Sequence, residues 1–168
     1  MNALPAWRER VQEEANLFNP FFLAFAIRQV AKGYEAERGN RLPWALPFLF
    51  IPLLLHQHSR EQLPYTSRTD LVVWLTDHPD IRFLTPQRVR LMRPYVQEAL
   101  LVGARDGLIA VDRPDLTIGV GERRVTQARI DRTELVAGEI LGACPKLGRW
   151  LARNGSWQYQ LTLWGVSL

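Results

Sequence analysis

Apolar positions along the chain fall mostly at helical spacing. Trp7, Val11, Ala15 and Phe18 recur with Glu9, Arg10, Glu13 and Glu14 opposite, which predicts an amphipathic first helix. Asn19 and Pro20 start the next, Asn19 as N-cap and Pro20 at the first helical position, where a missing N–H costs nothing. That helix runs to about Arg38 and stops at Gly39-Asn40. Its stripe of Phe22, Leu23, Ala26, Ile27, Val30 and Tyr34 is broad enough for burial on more than one side.

The stretch from Leu42 to Leu55 is almost entirely apolar, and it turns polar at His56-Gln57-His58-Ser59-Arg60. It predicts a helix beginning near Pro43 and bent at Pro47 or Pro52, with a proline-broken turn as the other reading. Thr66 or Ser67 then caps a helix carrying Leu71, Val72, Trp74 and Leu75, ended by His78-Pro79. Thr85-Pro86 repeats the cap-then-proline start. Val89, Met92, Val96, Leu100 and Gly103 step by three and four through Pro94, predicting one kinked helix, or two abutting ones, from Pro86 to Arg105.

Two β-rich runs, Leu108–Val111 and Leu116–Val120, flank Asp112-Arg113-Pro114-Asp115 and predict a hairpin. After a polar linker, Asp131 and Glu134 open a helix with a capping-box pattern, and Cys144-Pro145 bends or breaks it. Trp157 to Leu163 alternates in strand fashion, with a short helix capped by Ser156 and stopped by Gly165 as the alternative. The fold expected is mainly α with a small β-hairpin, in a single domain over residues 1–168. Within it, 42–120 forms a winged-helix-like core and 130–168 a C-terminal helix and tail. Leu46, Phe50, Leu54, Leu71, Trp74, Val96 and Leu100 are expected to meet in one core.

Composition narrows the class without naming a function. A chain of 168 residues, 47% hydrophobic and 23% charged, is ordinary for a soluble globular domain. Cys144 alone can form neither an internal disulfide nor a thiolate metal site, and a reducing cytoplasm fits. The proline-broken run from Leu42 to Leu55 is short of the about 20 apolar residues that span a bilayer, so no membrane contact is expected. The N-terminus lacks the basic-then-apolar order of a secretory signal. The net charge is +4, and arginine supplies 19 of the 21 basic residues, scattered along the chain. Arginine serves protein ion pairs and phosphates alike, so the bias does not choose between them.

Candidate chemistry is sparse. His56 and His58 could ligate a metal with a nearby carboxylate such as Glu61, but two apart suits a strand and not a helix, and two close ligands fall short of the three or four such sites want; no metal is expected. Ser67 and Cys144 lack a local base held by an acid, and His78 sits beside a helix-stopping proline. Gly119-Val120-Gly121 lacks the Lys-Ser/Thr and the following helix of a phosphate loop, so no nucleotide or other cofactor is expected. A winged helix raises DNA, but the helix before the hairpin offers only Gln97 and Arg105 against Glu98 and an apolar surround. Arg82, Arg88, Arg90 and Arg93 just upstream suit phosphates, or the acids of a partner. Weak, non-specific DNA contact is the most this supports.

The order of several segments resembles the middle component of three-component ABC systems. They are Asn19-Pro20-Phe21-Phe22-Leu23-Ala24; Leu46-Pro47 through Leu55-His56; Leu63-Pro64-Tyr65-Thr66-Ser67-Arg68-Thr69; Arg93-Pro94-Tyr95-Val96-Gln97-Glu98-Ala99-Leu100 with Gly107-Leu108; and Leu147-Gly148-Arg149-Trp150. The resemblance implies a small non-catalytic adaptor subunit. Its partners would be an SMC/Rad50-like ABC ATPase and an effector subunit, in a prokaryotic system akin to Lamassu-type antiphage defence. Arg88, Arg90 and Arg93, read as the solvent side of their helix, and Trp157 and Trp164 in the tail are the expected partner contacts. The rivals are a stand-alone winged-helix DNA-binding regulator and a small enzyme using His56 and Ser67.

Overall fold

Asn19 starts the first helix of the computed structural model, which describes residues 18–125 and 135–168. The expected helix over Trp7–Phe18 (all but its last residue) and the capping box of Asp131 and Glu134 lie outside the described residues. The Asn19 Oδ1 accepts from the N–H groups of Phe21 and Phe22 at 2.9 and 3.3 Å, and α1 runs Pro20–Arg38. Gly39 ends it with φ at 74°, a left-handed conformation that only glycine adopts cheaply. As its broad stripe implies, α1 is buried on several sides, and it packs chiefly on a late helix, α6 (Leu135–Arg153). A Cβ on Gly148 would sit 2.1 Å from the Val30 carbonyl oxygen, and one on Gly33 would sit 2.3 Å from that of Pro145. The two helices therefore cross backbone against backbone at these glycines.

The apolar run opens as a strand and not as a helix. Strand β1 (Leu42–Pro43) pairs antiparallel with β3 (Thr117–Val120), Leu42 opposite Ile118, and the Trp44 N–H donates to the Leu116 carbonyl at 3.0 Å. Those bonds hold residues 42–44 extended, so helix α2 begins later, at Leu46, and ends at Leu55. Its Pro47 lies in the first turn, where no N–H is needed, and Pro52 lies inside. Strand β2 (Ile109–Asp112) pairs with β3 as the expected hairpin, giving a three-stranded antiparallel sheet in the order β1-β3-β2.

A five-residue helix, α3 (Gln57–Glu61), follows. Helix α4 (Leu71–Asp77) is capped by Asp70, not by Thr66 or Ser67: the Asp70 Oδ1 accepts from Val72 and Val73 at 2.8 and 3.1 Å. Helix α5 starts at Pro79, well before Pro86, and runs unbroken to Arg105. Thr85 caps nothing; it is buried and its hydroxyl donates to the Ile81 carbonyl at 2.7 Å, with Pro86 and Pro94 both inside the helix. Pro145 is likewise carried within α6.

The tail is a helix, α7 (Trp157–Leu163), and not the strand that its alternation suggests. The Ser156 hydroxyl accepts from the Tyr159 N–H at 3.2 Å, and Gly165 turns left-handed with φ at 66°. Gln160 and Leu161 are its buried positions, with Trp164 buried at its C-cap.

The seven residues expected in one core meet there, Leu100 half-buried and the other six buried. Trp74 of α4 lies 5.4 Å from the Trp150 ring and 5.7 Å from Trp164, centroid to centroid, joining α4 and α6 to the chain end. The described chain is mostly helical with one small sheet. No helix among the described residues is long and apolar enough to cross a membrane.

Candidate partner interface

A helix turns about 100° per residue, so residues 88 and 90 lie roughly 200° apart and cannot share a face. Arg88 accordingly points inward. Its guanidinium donates to the Ser59 hydroxyl at 3.1 Å and to the His56 Nε2 at 3.0 Å. On the other ring nitrogen, the Ser59 N–H donates to Nδ1 at 3.2 Å, with His56 as N-cap of α3, and the Ser59 hydroxyl lies 2.9 Å from the same atom. Burial lowers the His56 pKa from its ordinary 6.5, and the Arg88 charge lowers it further. Both ring nitrogens are engaged and the hydroxyl partner is the fully buried Ser59, not Ser67. This is a brace between α3 and α5.

The neighbouring polar groups act in the same way. Arg60, its side chain 7% exposed, donates to the Leu54 carbonyl at 2.8 Å and to Glu139 of α6 at 3.2 Å. His58 pairs with Asp80 at 3.0 Å. His78 stacks on the Trp74 ring at 4.3 Å and bonds the Trp74 carbonyl. Cys144 is fully buried; burial pushes its thiol pKa far up, and the thiol donates to the Ile140 carbonyl. Among the described residues, no three His, Cys, Asp or Glu side chains gather in a way that would hold a metal ion.

Arg90 and Arg93 are exposed on α5. Beside them stand large apolar side chains that the core does not take: Phe83 is 84% exposed, Leu91 67% and Leu101 73%. The buried side of α5 belongs to Ile81, Thr85, Val89, Val96, Ala99 and Gly103. The three exposed residues were legible as apolar positions off that stripe, a signal the search for a single stripe passes over.

The tail pair divides. Trp164 is 1% exposed and packed against Trp74, so it offers no surface to a partner. Trp157 is half-buried and lines an open cleft of about 630 Å³ with Tyr34, Arg41, Trp44, Leu116 and neighbouring residues of the sheet. No residue of α5 lines it. Arg90, Arg93 and Trp157 are therefore available at the surface, in two separate places, while Arg88 and Trp164 serve the fold.

The family model for the ABC-three component (ABC-3C) system Middle Component 3 matches residues 7–168. The chain belongs to that family. No curated protein and no solved structure matches it. A middle component of a multi-component system has protein partners. In this middle component the helix face around Arg90 and the cleft around Trp157 are two of the surfaces that the core leaves uncovered.

Proposed function

We propose that the protein is a non-catalytic adaptor, joining an SMC/Rad50-like ABC ATPase to an effector subunit in a cytoplasmic antiphage system akin to Lamassu. Membership of the middle-component family carries this reading. The apolar face of α5 flanked by Arg90 and Arg93 supports it, because aromatic and arginine side chains are the usual anchors of protein interfaces. Trp157 in its cleft is the second contact. The chain acts as one domain over residues 1–168, its 42–120 segment holding the helical core and hairpin.

A stand-alone winged-helix regulator is the rival, favoured by the order of α5 followed by the β2–β3 hairpin. Exposed Leu101 and half-buried Glu98 in the last turns of α5 count against it, since base readers present Arg, Lys, Asn or Gln. The test is co-expression with the ATPase and effector components of the same system, followed by purification on each in turn. A three-part complex is the expected result. If the intact chain co-purifies with neither, the adaptor reading falls.

A further inference from the structure

Helix α5 is the longest element described, and its outer face is unlike that of an ordinary surface helix. Phe83, Leu91 and Leu101 fall in one row with the exposed Gln87 and the half-buried Pro94 and Glu98, at steps of four, four, three, four and three, and Glu98 is already engaged. At 1.5 Å per residue the row extends roughly 27 Å, or about five turns. Single exposed apolar residues are commonplace, but three in register on one helix make a strip. Among the described residues nothing packs over Phe83, Leu91 and Leu101, while the opposite side of α5 fills the core. Two exposed guanidiniums, Arg90 and Arg93, flank it with no ion pair or hydrogen bond among the described residues. The exposed acid Asp80 is already paired, with His58.

We infer that the outer face of α5 is the seat of an acidic amphipathic helix from a partner component. The strip takes the partner's apolar side chains at i, i+3, i+4 and i+7, and Arg90 and Arg93 take carboxylates on its flank. The inference rests on the adaptor reading and adds the chemistry of the partner. A second copy of this chain fits poorly: pairing α5 with itself sets Arg90 and Arg93 against their own like charges, in a chain that carries +4 overall. A nucleic acid fits no better, because phosphates would meet a row of Phe and Leu where they need cations.

The test uses the full chain co-expressed with the other two components of the system. R90E/R93E removes the charge, F83S/L91S/L101S removes the strip, R90K/R93K keeps the charge, and R113E alters an exposed arginine in the hairpin turn. Capture by one component should fall at least tenfold for each of the first two variants. R90K/R93K and R113E should hold near wild type, and all four should keep the wild-type thermal midpoint. Sedimentation of the purified chain alone and flotation on phosphatidylserine vesicles test the other occupants. A complex unaffected by the first two variants overturns the inference and leaves the adaptor standing on another surface. Dimers or vesicle binding that those variants abolish, with capture intact, overturn it in favour of a second copy or a lipid surface. Absence of any complex with the wild-type chain removes the adaptor reading and this inference together.

Discussion

Arg88 and Arg90 sit two positions apart and do opposite work. Removing the Arg88 side chain leaves buried acceptors on Ser59 and His56 without their donor, which typically costs about 1–3 kcal/mol. Arg90 is exposed and unpaired among the described residues, and its replacement should stay within about 0.5 kcal/mol. Chemical denaturation of Arg88→Ala and Arg90→Ala, read as midpoints, separates the two. The sequence displayed three arginines near one another, but a count of basic residues does not carry helix phase. His56 adds a pH dependence with a definite sign. Its folded-state pKa lies below the ordinary 6.5 through burial, with Arg88, His58 and Arg60 opposing protonation and Asp80 favouring it. The unfolded chain thus takes up the proton more readily, so this group's contribution is whole above pH 6.5 and is lost as pH falls through the folded pKa. Denaturation midpoints of wild type and His56→Gln, measured between about pH 7.5 and 5, should converge as the solution acidifies. Parallel curves would show that His56 does not titrate with folding.

Helix ends were legible where the cap was local, as at Asn19 and Gly39, and misplaced where bonds between distant segments decided. β1 is invisible in sequence because Leu42–Pro43 is too short to show a period; its strand character comes from β3, more than seventy residues on. Trp157–Leu163 fits both periods over seven residues, and Ser156 with Gly165 settles it as a helix. Within α6 the glycines are unequal. Gly148→Ala puts a methyl group into the Val30 backbone and should destabilise by at least the ~1–3 kcal/mol of overpacking. Gly142 has nothing within 4 Å of a Cβ, so Gly142→Ala should stabilise by about 0.4–1 kcal/mol through helix propensity. Equal midpoints for the two variants would mean that α1 and α6 do not touch at Gly148. In α2, Leu54 is fully buried, and Leu54→Ala should cost about 2–5 kcal/mol by the same measurement.

At the scale of the whole molecule, the basic character is smaller than its pI of about 9.7 implies. Arg28 spends its guanidinium on the carbonyls of Leu108 and Gly121, Arg38 on those of Ala152 and Gly155, Arg60 on Leu54 and Glu139, and Arg88 on α3. Arg41, Arg105 and Arg153 pair with Asp112, Asp106 and Glu37. None of this can be read from composition, because it depends on which carbonyls the fold leaves facing which helix. Several arginines thus serve here as cross-links between segments, while Arg90, Arg93, Arg113 and Arg124 stay exposed and scattered along the chain. DNA binding by the isolated chain should accordingly be non-specific, with a dissociation constant of about 10⁻⁴–10⁻⁶ M at physiological salt. The affinity should fall steeply as salt rises, since each phosphate contact adds about one to the slope of log affinity against log salt. Anisotropy titrations over a salt series, with unrelated duplexes as probes, give both quantities. Affinity independent of sequence agrees with an adaptor whose specificity lies in its protein partners. Tight binding to one sequence, in the nanomolar range, would instead make the β2–β3 hairpin a wing and the chain a regulator.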